Sequence, residues 1–216
     1  MNEVATRSIS RPQPGKHDRE GRRLALIEAA VTVFAELGYD AATTREVAAR
    51  AGCSEGLIHR YFGGKHGLLL AAIEEKHEAL AAGISAAVSA AGSIEQKIMT
   101  LVTGPIEEAW KQRDFMRVAI ARSIVDPEVG AMIGSRVTQY RVEAIAERLE
   151  AHQQAGAIRR DIDVRALAET ISAVGFVLGF MEQVVFGTSR ESVRERAQEA
   201  ARIICHGALP AAAATS

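Results

Sequence analysis

Between residues 43 and 65 the chain reads TTREVAARAGCSEGLIHRYFGGK, with hydrogen-bonding side chains at spacings that a plain packing helix does not need. Thr43 followed by Glu46 is an S/T-x-x-E capping box, which starts a helix over about 44–51. Gly52 ends it, Ser54 stands as N-cap of another helix over about 55–61, and Gly63-Gly64 precede one that opens at Lys65. Ile58 and Phe62, four apart, give the second of the pair a packed face, with Val47 and Ala48 opposite. That leaves Ser54, Glu55, Gly56, Leu57, His59, Arg60 and Tyr61 outward. Two helices joined by a tight Gly-bearing turn form a helix-turn-helix, and the second is narrow enough for a major groove. Glu55 can accept from a cytosine amino group, Leu57 can touch a thymine methyl, and Gly56 lets the backbone come close. Thr44, Arg45 and Lys65, at helix N-termini, have the chemistry to hold phosphate.

The elements around this stretch must be helices too. The 216 residues are 48% hydrophobic and 25% charged with only 5% aromatics, so the chain can bury a core and reads as all-α. Net charge is −1, and residues 1–66 hold ten basic against eight acidic side chains, too even to draw the protein to nucleic acid by its overall field. Residues 1–17, with Pro12, Pro14 and Gly15, read as a flexible basic arm whose Arg7, Arg11 and Lys16 can add phosphate contacts. Leu24, Ile27, Val31 and Phe34 stripe a first helix over 18–37, stopped by Gly38. Beyond Lys65 the spacing predicts a long fourth helix, then helices from Ile94 to about Trp110, over 114–125, through Met132 to Gln154, over 163–186 and over 190–206. That makes about nine helices and no strand, with residues 209–216 a disordered tail.

Residues 22–68 resemble the DNA-binding domain of the TetR family of bacterial transcriptional repressors. The resemblance rests on AA-x-x-x-F-x-x-x-G-Y, the T-x-x-x-[VI]-A start, A-G-x-S-x-G, and YF followed by Lys65. It implies an 18–66 DNA-binding domain contacting DNA through Thr44, Arg45, Ser54, Glu55, Gly56, Leu57, His59, Tyr61 and Lys65. His59 stands where the family usually has Tyr, and His66 where an acidic residue is usual. Residues 67–208 are then a bundle that binds a small-molecule effector and dimerises through its last two helices, on a two-fold symmetric operator. The alternative from another class is an all-α ligand-binding or adaptor protein whose helix-turn-helix no longer binds DNA; a salt-dependent DNA affinity separates the two.

The larger half offers candidates for both tasks. The helix over 163–186 is apolar nearly all round, which calls for burial on several sides. Leu167, Ile171, Val174, Gly175, Leu178, Gly179 and, on the last helix, Ile203 are the expected dimer surface, with Gly175 and Gly179 permitting a close crossing. Met99, Trp110, Phe115, Met116, Met132, Phe176 and Phe180 can line an apolar pocket, with Arg117 orienting a polar group and Trp110 the leading candidate. The most apolar run of the chain, TISAVGFVLGFM, falls short of the roughly 20 residues that span a bilayer, and no secretory signal is visible. A cytoplasmic bacterial protein is expected. Cys53 and Cys205 lie far apart, no H-x-x-x-H or phosphate loop appears, and neither an enzyme, a cofactor nor a metal is expected.

Overall fold

The computed structural model describes residues 16–210, and backbone alone up to residue 18, so most of the expected arm and residues 211–216 lie outside the described residues. Among the described residues nine helices follow one another and there is no strand. They are α1 (Lys16–Leu37), α2 (Thr44–Arg50), α3 (Glu55–Phe62), α4 (Lys65–Ala90), α5 (Ile94–Lys111) and α6 (Arg113–Val125). Then α7 covers residues 127–154 as Pro127–Ala131, a π-helical stretch Met132–Gln139, and Tyr140–Gln154. Next come α8 (Val164–Val185), π-helical from Val177, and α9 (Arg190–Ala208). Lys16 and His17, expected in the arm, already belong to α1.

Local chemistry sets the boundaries. The Thr43 hydroxyl accepts from the Glu46 N–H while the Glu46 carboxylate takes the Thr43 N–H, the full capping box. Ser93 and Gln96 repeat the box at α5, Asp126 caps α7 ahead of Pro127, and Asp163 caps α8. Ser54 occupies the N-cap position of α3 in extended conformation, but its hydroxyl makes no cap hydrogen bond. Gly63 closes α3 at a φ of +75°, a left-handed turn that suits glycine. Pro105 lies inside α5 without ending it.

Two apolar cores result. The first gathers Leu26, Ile27, Phe34, Val47, Ile58, Leu68 and Leu69 from α1–α4, and also Phe115 and Ala119 of α6 and Val129 of α7. The second joins Leu101, Val102, Ile106, Ile145, Leu149, Ile171 and Val193 from α5, α7, α8 and α9. A boundary at residue 66 therefore runs along α4, which continues as one rod from the first core to the second.

α8 corrects two expectations. At 22 residues it is, by length and composition, long and apolar enough to cross a membrane, so the length of an uncharged run does not dispose of that reading. Its inner side instead packs on its own chain. An added Cβ at Gly179 would sit 3.1 Å from Ile106 Cα, and one at Gly175 would sit 3.5 Å from Pro105, so the close crossing permitted by these glycines is made with α5 of the same chain. Ile171 is likewise buried, and Leu167, Val174 and Leu178 pack against the second core, leaving Ile203 as the fully exposed member of the expected dimer set.

Candidate nucleic-acid interface

The N-termini of α2 and α3 meet: the Thr44 hydroxyl donates to Glu55 Oε1 at 2.5 Å. This contact joins two residues expected to touch DNA separately, and it divides their roles. The Thr44 hydroxyl proton is used on Glu55 and the Glu46 and Val47 N–H groups are taken by Thr43, which leaves the Thr44 and Arg45 backbone N–H groups as the α2 donors open to a phosphate. Glu55 keeps Oε2 free to accept, and its position is fixed by Thr44. Ile58 is fully buried beside Val47 and Ala48, which orients α3, while Ser54, Glu55, Gly56, His59 and Arg60 are exposed and Leu57 and Tyr61 half-buried. Nothing lies within 4 Å of a Cβ built on Gly56, so the chain itself does not demand glycine there. Among the described residues neither Arg45 nor Arg60 has an acidic partner, whereas Arg50 is held by Glu36 through two hydrogen bonds of 2.9 and 2.6 Å that tie α2 to α1.

Lys65 has a different task from the expected phosphate contact. Its ammonium donates to the carbonyls of Tyr39 (2.8 Å), Asp40 (3.2 Å) and Ala42 (2.9 Å) and lies 4.5 Å from the Tyr39 ring centroid. A lysine has three N–H donors, and all three close the α1–α2 loop. His66 beside it faces acidic groups of the α6–α7 corner, Asp126 at 3.2 Å and Glu128 at 3.7 Å. Arg122 of α6 completes the junction, 3.1 Å from Asp126, 3.5 Å from Asp40 and 4.6 Å from the Tyr39 ring centroid. The start of α4 is thus fastened both to the helix-turn-helix and to the larger half.

The larger half contains a cavity of about 730 Å³ between α4, α5 and α7, lined by His77, Leu80, Leu101, Met132, Arg141 and Arg148 among others. A smaller one of about 60 Å³ adjoins it, with Leu80, Pro105 and Arg141 common to both and Met116, Phe176 and Phe180 on its walls. Four of the eight expected pocket residues therefore line a cavity. The rest do not. Trp110 has the Arg113 and Arg190 guanidinium groups over its ring, 4.6 and 5.2 Å from the centroid; Phe115 belongs to the first core; Met99 packs on the second. Arg117 donates to the Val184 carbonyl at 2.9 Å. The residues missed are polar ones on α4 and α7, His77, Arg141 and Arg148, which in sequence look like ordinary members of a solvated helix face. Among the described residues no cluster of His, Cys, Asp and Glu could hold a metal ion.

Comparison with known proteins agrees with this geometry. The profile of bacterial regulatory proteins of the tetR family matches residues 26–72, and that of the AefR-like transcriptional repressor C-terminal domain matches residues 94–206. The HTH-type transcriptional repressor AcnR of Corynebacterium efficiens is 30% identical over 80% of this chain and 87% of its own. The repressor KstR of Mycolicibacterium smegmatis is 28% identical over 61% of this chain, and the match spans 63% of KstR. Among solved structures, a tetR-family regulatory protein from Rhodococcus RHA1 superposes with a TM-score of 0.63 at 26% identity, covering 88% of this chain and 98% of that one. The regulator FadR of Bacillus subtilis, solved with stearoyl-CoA, shares the fold with a TM-score of 0.69 at 19% identity over 85% and 98%. With both halves matched in order and the helix-turn-helix built as its sequence demands, the chain belongs to the TetR family of DNA-binding transcriptional regulators.

Proposed function

We propose that the protein is a homodimeric repressor in the bacterial cytoplasm that leaves a two-fold symmetric operator when a small molecule fills the cavity between α4, α5 and α7. The observation that carries the DNA reading is the meeting of the α2 and α3 N-termini at Thr44 and Glu55, flanked by the unpaired Arg45 and Arg60. Glu55, Leu57 and Gly56 read bases; Arg45, Arg60, His59, Tyr61 and the α2 N-terminus hold phosphate, with Lys65 left out. Binding, not catalysis, is the activity, as in the repressors AcnR and KstR. FadR, solved with stearoyl-CoA, supports an amphipathic ligand for this fold. α4 connects the two events, carrying Lys65 at the helix-turn-helix and His77 at the cavity wall.

The dimer surface in this reading is the outward face of α8 and α9. Thr170, Ala173 and Val177 line it at helical spacing, followed by Val185 and Phe186 and joined by Ile203. Val177 and Ile203 are 47% and 65% exposed, unusual for apolar side chains on packed helices. Sedimentation of wild type and Val177→Glu tests it: a dimer for the first and a monomer with much weakened duplex binding for the second are expected. A variant that stays dimeric moves the interface elsewhere.

A further inference from the structure

The cavity wall holds a charge without a counter-charge. Arg141 donates through Nε to Ser172 Oγ at 3.0 Å, and among the described residues its terminal nitrogens have no hydrogen-bond partner and no carboxylate within ion-pair distance. It lines both the large and the small cavity. Beside it His77 is just as unusual: both ring nitrogens are inaccessible to solvent and neither has a hydrogen-bond partner, while the ring packs edge-on against Tyr140 with centroids 5.7 Å apart. Burial lowers the pKa of both groups, and Arg141 further discourages a proton on His77. Partnerless buried polar groups are rare in folded proteins, and a desolvated cation calls for an anion.

The acids nearby do not supply it. Glu74 is taken by Arg136 at 2.9 Å, Glu108 by Lys111 at 3.2 Å and Gln112 at 2.6 Å, and Glu78 and Glu143 are exposed at the rim. Arg148 adds a second guanidinium to the wall, fixed by Ser85 Oγ at 2.7 Å and the Ala144 carbonyl at 2.9 Å. Ser85, Ser135, Gln139 and the Glu74-paired Arg136 are further polar members of the lining, and its apolar part includes Leu80, Ala81, Ile84, Leu101, Pro105 and Ile145. A volume of about 730 Å³ suits a ligand well beyond a simple ion.

We infer that the effector is an amphipathic anion whose carboxylate lies against the terminal nitrogens of Arg141 and whose apolar tail fills the cavity toward Leu80, Leu101 and Pro105. The inference rests on the effector-released repressor reading and names the ligand class of its cavity. A carboxylate accepts from a guanidinium at two points, which matches the two free terminal nitrogens of Arg141.

Titration calorimetry on the full chain, with sodium decanoate, decanol and acetate as probes, tests it. Decanoate should bind, decanol at least tenfold more weakly, and acetate not measurably; Arg141→Gln should weaken decanoate at least tenfold. Equal binding of decanol, unchanged affinity in Arg141→Gln, or no heat from decanoate would each overturn the assignment. If circular dichroism shows Arg141→Gln unfolded, Arg141→Lys replaces it, keeping the charge and removing the two-point fork; a threefold or greater loss of decanoate affinity supports the site and no loss overturns it. Duplex-DNA anisotropy on the same samples separates the two readings. Sound DNA binding without decanoate binding sinks the anion alone, and absent DNA binding sinks the regulator reading whatever the calorimetry shows.

Discussion

Replacing Lys65 by Met keeps the aliphatic stem and removes the ammonium. The Tyr39 and Ala42 carbonyls, bonded at 2.8 and 2.9 Å in part-buried surroundings, lose their partner, while the Asp40 carbonyl can turn to water. At about 1 kcal/mol for each of the two part-buried bonds and roughly 0.5 kcal/mol for the contact with the Tyr39 ring, the loss is about 2–3 kcal/mol. For a chain of this size that lowers Tm by roughly 5–10 °C. Thermal unfolding by circular dichroism reads the stability, and duplex affinity over a salt series reads the phosphate count. The expected outcome is a lower Tm with an unchanged salt slope, because the ammonium clamps a loop and leaves no donor for DNA. A variant with unchanged Tm and a slope reduced by about 1 would refute the reasoning and return Lys65 to the phosphate contacts.

Four further substitutions follow from the same geometry. Gly56→Ala meets nothing within 4 Å in the chain and should raise stability by up to about 1 kcal/mol, yet weaken operator binding by crowding the DNA; undiminished binding would mean that α3 does not approach the bases there. Glu55→Ala should relax base preference at one or two positions, and Thr44→Val should do so in part by releasing the Glu55 carboxylate, whereas equal loss on every sequence in a binding-site selection would remove Glu55 from the reading set. Burial holds the His77 pKa below its ordinary 6.5, so the unfolded chain takes the proton first: stability should be flat above that pH and fall as pH drops through it toward the lower folded value. His77→Phe should flatten that part of the curve, and an unaltered acid limb in urea titrations would show that another group carries it.

Local signals were the legible ones. The Thr43–Glu46 box, Gly52, Gly63 and the Ile58 stripe each act within a few residues, and α2 and α3 formed as their spacing demands. Contacts between distant segments were not legible. Nothing near Lys65 announces that its ammonium will meet carbonyls about 25 residues earlier, and nothing near Glu55 announces Thr44. Gly175 and Gly179 did mark a close crossing, but spacing does not say which helix crosses, and α5 of the same chain does. The cavities were half legible for a related reason. Met116, Met132, Phe176 and Phe180 line them, but Trp110 and Phe115, equally large and apolar in sequence, end beside arginines or in a core, and the unpaired terminal nitrogens of Arg141 have no local signal.

Fluorescence anisotropy of the intact protein on the duplex immediately upstream of its own gene, against an unrelated duplex and at two salt concentrations, tests the central claim most directly. A sequence-specific repressor that reads two half-sites should hold the upstream duplex far more tightly than the unrelated one and weaken steeply as salt rises. No binding to either duplex at low salt would contradict the account and leave an all-α ligand-binding protein in its place.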